Sequence, residues 1–201
     1  ASWSRGLGDV YKRQVLMYSY LVLDTVTDTK PGSIFPNSFT LEHWRFLYED
    51  IEGKANIWQV TLNTLVFASS VMLLELSVSS TAGYALSRLN IPFRREFLAG
   101  VLLLHAFPSI TLIIAIFLIL QLIGLYHTLI GVIIVMTSLQ LPLGIWIMKG
   151  FYDSVPWEIE MAGLQDGASR FTVWYRLVLP QVRPGIIALG VFSFLSGWGE
   201  Y

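Results

Sequence analysis

The chain of 201 residues is 54% hydrophobic, 13% charged and close to neutral, with a net charge of −1. Soluble domains carry about 25% charged residues, so this composition excludes an ordinary soluble fold and predicts a membrane protein. No block of basic residues indicates nucleic-acid binding. Since the chain has no cysteine, disulfides and thiolate metal sites are excluded as well.

The chain begins with a segment unlike the rest. Residues 1–14 resemble nothing downstream, and we interpret them as a leader that is foreign to the native protein. The apolar run 15–23 is shorter than the roughly 20 residues that cross a bilayer, so it is predicted to be the end of a partial first span. A signal peptide is the alternative, which the short run and the lack of a small-residue cleavage pair disfavour. With another apolar run at 184–201, we expect a fragment that is truncated at both ends.

Stretches without charge locate the spans. Residues 97–148 contain no Asp, Glu, Lys or Arg, and their length suits two spans joined by a tight turn at 123–128. An earlier apolar stretch contains Glu75 as its one charged residue. The fold is therefore predicted to be an all-α, polytopic membrane helix bundle. Its complete spans are predicted at residues 55–87, 97–122 and 129–148.

Lys and Arg residues predict the orientation of the loops. The connection after the first complete span and the long segment 149–183 are both basic, and alternating spans put them on the same side. The loop 24–54 has more acidic than basic residues. The positive-inside rule then places 149–183 in the cytoplasm and 24–54 outside a cell membrane that the chain crosses several times.

The outer loop contains one helical pattern. Thr40 is a plausible N-cap, and Leu41, Trp44 and Tyr48 fall on one helical face. This pattern is typical of a short interfacial helix with an aromatic anchor. A contact surface for an extracytoplasmic partner is the alternative.

The cytoplasmic segment 149–183 predicts a helix, a glycine turn and a second helix. Ser154 is a candidate cap with Pro156 in the first turn, and Gly167 ends the first helix. Ser169 is the candidate cap of the second helix, which Pro180 is expected to end. The predicted apolar faces are Trp157, Met161 and Leu164 on the first helix, and Phe171, Trp174, Tyr175 and Val178 on the second.

An apolar face on a short cytoplasmic helix needs a covering. It packs either against the ends of the spans or into a groove of another protein. Small residues at Ala162, Gly163 and Gly167 allow close backbone approach, which favours docking but also serves internal packing.

The stretch WEIEMAGLQDGASRFTVWYRLVLPQVRPG, residues 157–185, resembles the cytoplasmic loop of the permeases of binding-protein-dependent ABC importers. In that family the loop has Glu-Ala-Ala, three residues, Gly, nine residues, Ile, one residue and Leu-Pro. Met161 stands here in place of the glutamate and Gly163 in place of the second alanine, so Glu158 or Glu160 is the candidate for an acidic contact. The resemblance implies an ATPase-coupling loop that contains Glu160, Met161, Ala162, Gly163, Asp166, Gly167, Leu177 and Pro180.

Further stretches, such as STAGYALSRLNIPFRREFL and LPLGIWIMKGFYDSVP, resemble the carbohydrate branch, in particular the smaller permease of maltose-type or trehalose-type importers. This resemblance implies import of an oligosaccharide by alternating access. It also implies a second permease, a dimer of ABC ATPase subunits, an extracytoplasmic solute-binding protein and the lipid bilayer as partners. ATP and magnesium would be bound by the ATPase subunits, and the chain itself would bind no cofactor and catalyse no reaction.

Two polar residues lie inside the predicted spans. Glu75 is expected to face the bundle interior, where it lines the solute pathway or is hydrogen-bonded between helices, for instance to Ser79. His105 is a second pathway candidate, and no other ligand is spaced to make it part of a metal site. Two other functions stay open: an ABC permease for another solute such as glycerol phosphate, and a membrane-embedded enzyme. The predicted spans contain no Lys or Arg, which disfavours a phosphorylated solute. They also contain no cluster of ionisable groups, which disfavours an enzyme.

Overall fold

The computed structural model describes residues 2–28, 38–49, 56–106 and 108–200, which are almost entirely helical. The Cα positions form two compact units, Ala1–Leu62 and Asn63–Tyr201. The chain thus has the predicted all-α architecture, with a pair of two-residue strands as the one extended element in the described part.

The first unit contains one long helix and a small folded connection. In chain order its elements are α1 (Ser2–Thr25), β1 (Thr27–Asp28), β2 (Ser38–Phe39) and a 3-10 helix (Glu42–Leu47). The two strands pair antiparallel, and the indole of Trp44 donates a hydrogen bond to the carbonyl oxygen of Thr25 at 3.0 Å. Residues 2–14, interpreted above as a foreign leader, continue without a break into the helix that contains 15–23.

The predicted outer helix is a 3-10 helix rather than an α-helix. Leu41 occupies its N-cap position, and the Thr40 hydroxyl accepts a hydrogen bond from the Glu42 amide at 3.1 Å. Leu41 and Tyr48 are 65% and 68% exposed, so this face has little intramolecular cover. Both interpretations of the loop therefore stay predictions.

Helix α2 (Ile57–Arg88) runs from the end of the first unit through the second, and the remaining elements belong to the second unit. They are α3 (Arg94–His105), a 3-10 helix (Ser109–Leu112), α4 (Ile113–Leu122), α5 (Leu129–Asp153), α6 (Trp157–Gln165), α7 (Arg170–Val173), a π-helical turn (Trp174–Val178), α8 (Leu179–Gln181) and α9 (Arg183–Gly199).

Two helices in the described part, α2 and α5, are long and apolar enough to cross a membrane. The run Arg170–Gln181 and helix α9 are apolar enough to count together as a third span, but the two pieces are bent by 74° relative to each other. The connection between α4 and α5 is tight, with Gly124 and His127 at positive φ. The Thr128 hydroxyl then caps α5 by accepting from the Gly131 amide at 3.1 Å.

The interval 97–122, predicted as one span, is divided in the structure. Helix α3 ends at His105, and Pro108, at the N-cap of the next 3-10 helix, has an extended backbone with ψ of 127°. A proline has no amide hydrogen and its ring crowds the preceding turn, which disfavours a continuous helix, and here the helix ends. By contrast, Pro142 lies inside α5, which continues through it.

Glycines bring the three long helices of the second unit into close contact. A Cβ atom on Gly83 of α2 would lie 2.9 Å from the Met148 Cβ atom of α5. One on Gly197 of α9 would lie 3.0 Å from the Ala68 Cα atom of α2. Such small-residue contacts are the usual way in which membrane helices approach each other.

Candidate functional site

The segment after α5 forms the predicted helix, glycine turn and helix. Helix α6 ends in a left-handed glycine, since Gly167 has a φ of 83°. The Ala168 amide donates to the Gly163 carbonyl at 3.1 Å, and the Gly167 amide donates to that of Leu164 at 3.1 Å. This pair of bonds is a Schellman motif, in which glycine adopts positive φ at no steric cost. The prediction of a glycine-terminated helix is therefore confirmed.

The start of α6 differs from the prediction. Pro156 occupies the N-cap position without a side-chain cap, and the helix begins at Trp157. The Ser154 hydroxyl instead donates to the Phe151 carbonyl at 2.7 Å, so this serine belongs to the end of α5. The prediction that Ser154 caps α6 is wrong, because the side chain satisfies the preceding helix first.

The second helix is capped as predicted but does not end at the proline. The Ser169 hydroxyl accepts from the Thr172 amide at 3.2 Å, and the helical run continues through Pro180 to Gln181. The turn Trp174–Val178 is π-helical. Because a proline cannot donate to the preceding turn and crowds it, the wider π turn lets the helix continue past Pro180.

The π turn also decides which side chains are buried. Val173 and Val178 are both 0% exposed, whereas Phe171 and Tyr175 are 69% and 60% exposed. An α-helix places residues i and i+5 on different faces, but a π turn brings them to the same side. The positions predicted to share one apolar face are therefore divided: Val178 is buried, whereas Phe171 and Tyr175 stack on the exposed side with 6.4 Å between their ring centres.

The ends of the long helices cover the buried side of this segment. Its valines pack with Met148 and Tyr152 of α5 and with Leu189 of α9 in one hydrophobic cluster. Of the two coverings that the sequence left open, internal packing therefore accounts for the buried face. The face that remains available to another protein is smaller than predicted.

A buried ion pair joins the first helix of the segment to α2. The Arg88 Nε atom lies 3.5 Å from the Glu160 Oε2 atom, and the two side chains are 7% and 1% exposed. The Tyr84 hydroxyl donates to the other carboxylate oxygen of Glu160 at 2.8 Å. Glu160 thus lies inside the protein, which excludes it from the acidic surface contact considered above and leaves Glu158 exposed.

Arg88 makes further contacts across the same junction. Its Nη2 atom donates to the carbonyl oxygens of Tyr152 at 2.8 Å and of Val155 at 2.5 Å. Its guanidinium also lies 5.3 Å from the ring centre of Trp157. One side chain at the end of α2 therefore binds the end of α5 and the beginning of α6. Arginine is suited to this role because its planar guanidinium group carries several donors in a fixed fork.

Tyr152 is the second node of this polar network. Its side chain is 0% exposed, and its hydroxyl is hydrogen-bonded to the Ser80 hydroxyl at 2.8 Å. The Trp174 indole donates to the same hydroxyl at 3.1 Å. The ring of Tyr84 packs edge-on against that of Tyr152 with 5.5 Å between centres. The network therefore connects α2, α5, α6 and the π turn.

The predicted coupling-loop residues separate into three groups by burial. Glu160 and Gly163 are buried, and a Cβ on Gly163 would lie 2.7 Å from the Leu177 Cδ1 atom. Ala162, Asp166, Gly167 and Leu177 are exposed. Met161 and Pro180 are half-buried at the edges.

The two predicted pathway residues have different outcomes. Glu75 is 3% exposed, and its Oε1 atom would lie 2.6 Å from a Cβ on Gly144 of α5, so the carboxylate packs directly on that glycine. It therefore faces the bundle interior, as expected, and Ser193 of α9 lies beside it. The His105 side chain lies outside the described part of the structure.

Sequence reasoning missed the residues that hold the segment in place. No sequence pattern indicates that Arg88, Tyr84 and Tyr152 hold this segment in place. Except for Trp174, which is 22 positions from Tyr152, their hydrogen-bond partners are more than 60 positions away in the chain, and no local pattern indicates such contacts. Two sequence features could have indicated these contacts: an arginine at the end of a span, and tyrosines near the ends of spans. Such side chains lie near the membrane interface, where their polar ends need hydrogen-bond partners.

Comparison with known proteins agrees with this architecture. Residues 76–201 match the family described as "Binding-protein-dependent transport system inner membrane component". The chain is 28% identical, over 92% of its length and 66% of the relative's, to the trehalose transport system permease protein SugB of Mycobacterium tuberculosis. It is 31% identical, over 83% of its length and 59% of the relative's, to the maltodextrin transport system permease protein MdxG of Bacillus subtilis.

A further relative is the diacetylchitobiose uptake system permease protein NgcG of Streptomyces coelicolor, which is 31% identical over 85% of this chain. Among solved structures, a chain from a bacterial ABC transporter involved in the import of the acidic polysaccharide alginate superposes with a TM-score of 0.74. That match has 19% identity and covers 98% of this chain and 72% of the solved one, so it shows the shared fold.

The present chain spans 66% of the length of SugB, 59% of that of MdxG and 57% of that of NgcG. The family match nevertheless includes the last part of α2, from residue 76, and every later helix. By its description, this family consists of components of transport systems. The chain is a membrane protein that belongs to the inner membrane components of binding-protein-dependent transport systems.

Proposed function

We propose that the chain is a permease subunit of an ABC importer for sugars, and that segment 149–183 couples its helices to a separate ATPase subunit. The single observation that carries this proposal is the buried polar junction of Arg88 and Glu160, which ties α6 to α2 and α5. A short helix that is fixed to two long apolar helices transmits a displacement to them, whereas a loosely attached helix does not.

The exposed side of α6 supplies the surface for the ATPase. Ala162 and Gly167 leave the backbone accessible, and Asp166 and Glu158 provide negative charge beside it. This distribution supports docking of α6 into a groove by its small residues, with the buried side held by the helix bundle. Trp157 and Phe171, which are 41% and 69% exposed, extend the surface on either side.

The chemistry is assigned to the partner subunits. We assign ATP and magnesium to the ATPase dimer, and the lack of a G-x-x-x-x-G-K-[ST] motif in the given residues agrees with this assignment. ATP binding closes that dimer, α6 follows its groove, and Arg88 carries the displacement into α2. A second permease completes the pathway, and an extracytoplasmic binding protein delivers the solute.

A neutral oligosaccharide is the proposed cargo. The named relatives are permeases for trehalose, maltodextrin and diacetylchitobiose. The long apolar helices α2 and α5 have no Lys or Arg within residues 57–87 and 129–148, which supports a neutral solute over a phosphorylated one. Glycerol phosphate would require basic side chains near its path.

Co-purification with the ATPase is the decisive experiment. The complete gene is expressed with its neighbouring permease, ATPase and binding-protein genes, and a tagged ATPase is pulled from mild-detergent extracts. We expect this chain to be recovered, and trehalose, maltose or diacetylchitobiose to stimulate ATP hydrolysis in the presence of the binding protein. A chain that inserts into the membrane and never binds the ATPase would contradict the proposal.

A matched pair of variants localises the contact. Ala162→Arg adds bulk and charge to the exposed side of α6, so it is expected to abolish recovery with the ATPase. Ser38→Arg makes the same addition at an exposed position of β2, on the predicted outer side, and is expected to leave recovery unchanged. Equal recovery of the two variants would show that α6 is not the docking element.

A further inference from the structure

The connection between α2 and α3 borders a surface cavity that the proposed coupling role does not use. The cavity has a volume of about 410 Å³ and is formed by residues at the end of α2 and the start of α3. Several donors of hydrogen bonds line it together with a single carboxylate, namely Arg88, Asn90, Arg94, Arg95 and Glu96. Such a lining is suited to an anion, because charge-assisted bonds from arginine are the strongest that side chains provide.

Two of the arginines at this cavity keep an uncompensated charge. Arg88 is neutralised by its buried partner, but within the described part of the chain Arg94 and Arg95 form no ion pair. Asp153, which accepts a hydrogen bond from the cavity residue Ser87, is itself paired with Lys149. The free charge at the cavity is therefore positive.

Arg94 is held at the cavity by a hydrogen bond to the protein backbone. Its Nη1 atom donates to the Leu86 carbonyl at 3.1 Å. A guanidinium has five N–H donors in a planar fork, so the remaining donors of this oriented group are available to the oxygens of a phosphate. Arg95 and Asn90 are exposed beside it and can supply further donors.

Phe93, immediately before Arg94, combines a strained backbone with an exposed ring. Its φ is 58°, a conformation that bulky residues seldom adopt. Its carbonyl accepts from the Phe97 amide at 2.9 Å, so the strained residue turns the chain into α3. The side chain is 78% exposed. Strain that orders a ring with so little contact inside the chain indicates a contact outside it.

The cavity lies where the sequence changes from polar to apolar. Helix α2 is long enough to cross a membrane and ends at Arg88. Charged residues stop at Glu96, and residues 97–148 have none. The positive-inside rule places this connection at the cytoplasmic surface of the membrane. At that depth, basic side chains attract the anionic headgroups of the cytoplasmic leaflet, and an exposed phenylalanine is buried at the boundary of headgroups and acyl chains.

We propose that Arg94, Arg95 and Asn90 form a binding site for the phosphate group of an anionic phospholipid in the cytoplasmic leaflet, with Phe93 inserted beside its acyl chains. The exposed ring favours a lipid over a free phosphate, which has no apolar part for the ring to contact. An acidic surface of another subunit is the remaining alternative, and the test separates it from lipid. The site is independent of the proposed cargo and of the docking of α6.

Native mass spectrometry tests the site in the complete permease, purified in mild detergent with its partner permease. The protein is equilibrated with phosphatidylglycerol or with phosphatidylcholine of the same acyl chains, and the ratio of lipid-bound to lipid-free protein gives the Kd of the first bound lipid. We expect phosphatidylglycerol to bind about tenfold tighter or more, since each basic residue near the surface strengthens the binding of anionic lipid about fivefold.

Single charge removals localise the site. Arg94→Gln and Arg95→Gln are each expected to weaken phosphatidylglycerol binding about fivefold and to leave phosphatidylcholine binding unchanged. Because the Arg95 side chain is exposed, its variant stays informative if Arg94→Gln impairs folding. The matched control is Arg176→Gln, which removes the same charge from an exposed position of the π-helical turn and should bind phosphatidylglycerol like the unmodified protein.

Phe93→Gly separates the ring from the backbone strain. Glycine adopts positive φ at no steric cost, so the variant should melt at the same temperature as the unmodified protein or higher when no lipid is added. It should nevertheless bind phosphatidylglycerol more weakly, because the apolar contact is lost. Unchanged lipid binding in this variant would overturn the role of Phe93.

The other outcomes also decide the inference. Equal affinity for the two lipids, or equal losses in Arg95→Gln and Arg176→Gln, would overturn it. Displacement of phosphatidylglycerol by millimolar inorganic phosphate at matched ionic strength would overturn the lipid as the source of the phosphate group. An Arg95→Gln variant that binds phosphatidylglycerol normally but no longer co-purifies with the ATPase would assign this face to that subunit. The lipid measurement needs no ATP, ATPase or sugar, so its failure and failure of the proposed function are distinguishable.

Discussion

The Nε atom of Arg88 and the Oε2 atom of Glu160 lie 3.5 Å apart with both side chains nearly inaccessible to solvent. They connect the last residue of α2 to the middle of α6. A buried pair that loses one member leaves an uncompensated charge, so the two helices cannot separate here without a large cost in free energy. This is the firmest link between the exposed docking surface and the long helices.

Removing the carboxylate is expected to weaken this link. Glu160→Ala leaves the Arg88 guanidinium without its buried partner and should lower the free energy of unfolding by about 3–5 kcal/mol. Glu160→Gln keeps an acceptor for Tyr84 but removes the charge, so it should retain the fold better. We expect the glutamine variant still to bind the ATPase, with sugar-stimulated ATP hydrolysis reduced about tenfold or more.

The control for that prediction is Glu158→Gln, which removes the same charge from the exposed side of the same helix. It should leave thermal stability in detergent unchanged. Equal melting temperatures of the Glu158→Gln and Glu160→Gln variants would contradict a structural role of the buried pair.

Gly167 allows the charge of the docking surface to be tested separately from backbone strain. Its φ of 83° and the open space around its Cα position admit Asn and Asp equally well in shape. Gly167→Asp adds a carboxylate at the proposed ATPase contact and is expected to reduce co-purification, with normal insertion into the membrane. Gly167→Asn has the same backbone strain without the charge and should bind the ATPase better than Gly167→Asp. Similar binding of the two variants would show that the added negative charge does not weaken the contact.

The contact between Gly163 and Leu177 predicts an energetic coupling. Gly163→Ala places a Cβ 2.7 Å from the leucine Cδ1 atom and 3.0 Å from the Val173 Cγ2 atom. This overpacking should destabilise the protein by about 1–3 kcal/mol. Leu177→Val removes the closer methyl group, so the double variant should recover part of the loss, with a coupling of about 0.5 kcal/mol or more in a thermal-stability cycle. Strict additivity would show that the two sites relax independently.

At Gly144, where α5 packs against Glu75, we expect that no side chain larger than hydrogen fits without strain. Gly144→Ala would bring its methyl group within 2.6 Å of the Glu75 carboxylate and 2.5 Å of the Ser79 hydroxyl. We expect a clear drop in melting temperature, of the order that overpacking by about 1–3 kcal/mol causes. Gly150→Ala, in the same helix with no neighbour within 4 Å, should be neutral or slightly stabilising. A neutral Gly144→Ala would contradict the close packing.

Much of the fold follows from the sequence because charge and apolar length act locally. The absence of charge located α5, and turn residues placed the connection before it. Gly167 and Ser169 were identified correctly because a left-handed cap and an N-cap each depend on one residue and its immediate neighbours. The family followed from the spacing of Gly167, Leu177 and Pro180.

The remainder depended on contacts that no local pattern encodes. Glu160 looks like an ordinary first-turn carboxylate, and its burial is a consequence of Arg88, which is distant in the chain. Pro108 divides an apolar stretch whereas Pro142 does not, although both lie in apolar sequence. Whether a helix continues past a proline depends on which neighbouring groups satisfy the freed carbonyls, and this is decided by packing.

The π turn before Pro180 makes the length of its segment a structural requirement. It holds one residue more than an α-helical turn would, and this extra residue is what aligns Val173 with Val178. Deleting Tyr175 would convert the turn to a regular α-helix, in which the Pro180 ring clashes with the carbonyl group one turn before it. Inserting a residue would rotate Phe171 inward by about 100° relative to the valines that follow. The number of residues between Gly167 and Pro180 is therefore as constrained as their identity, and a one-residue change in this interval should be harder to accommodate than most substitutions within it.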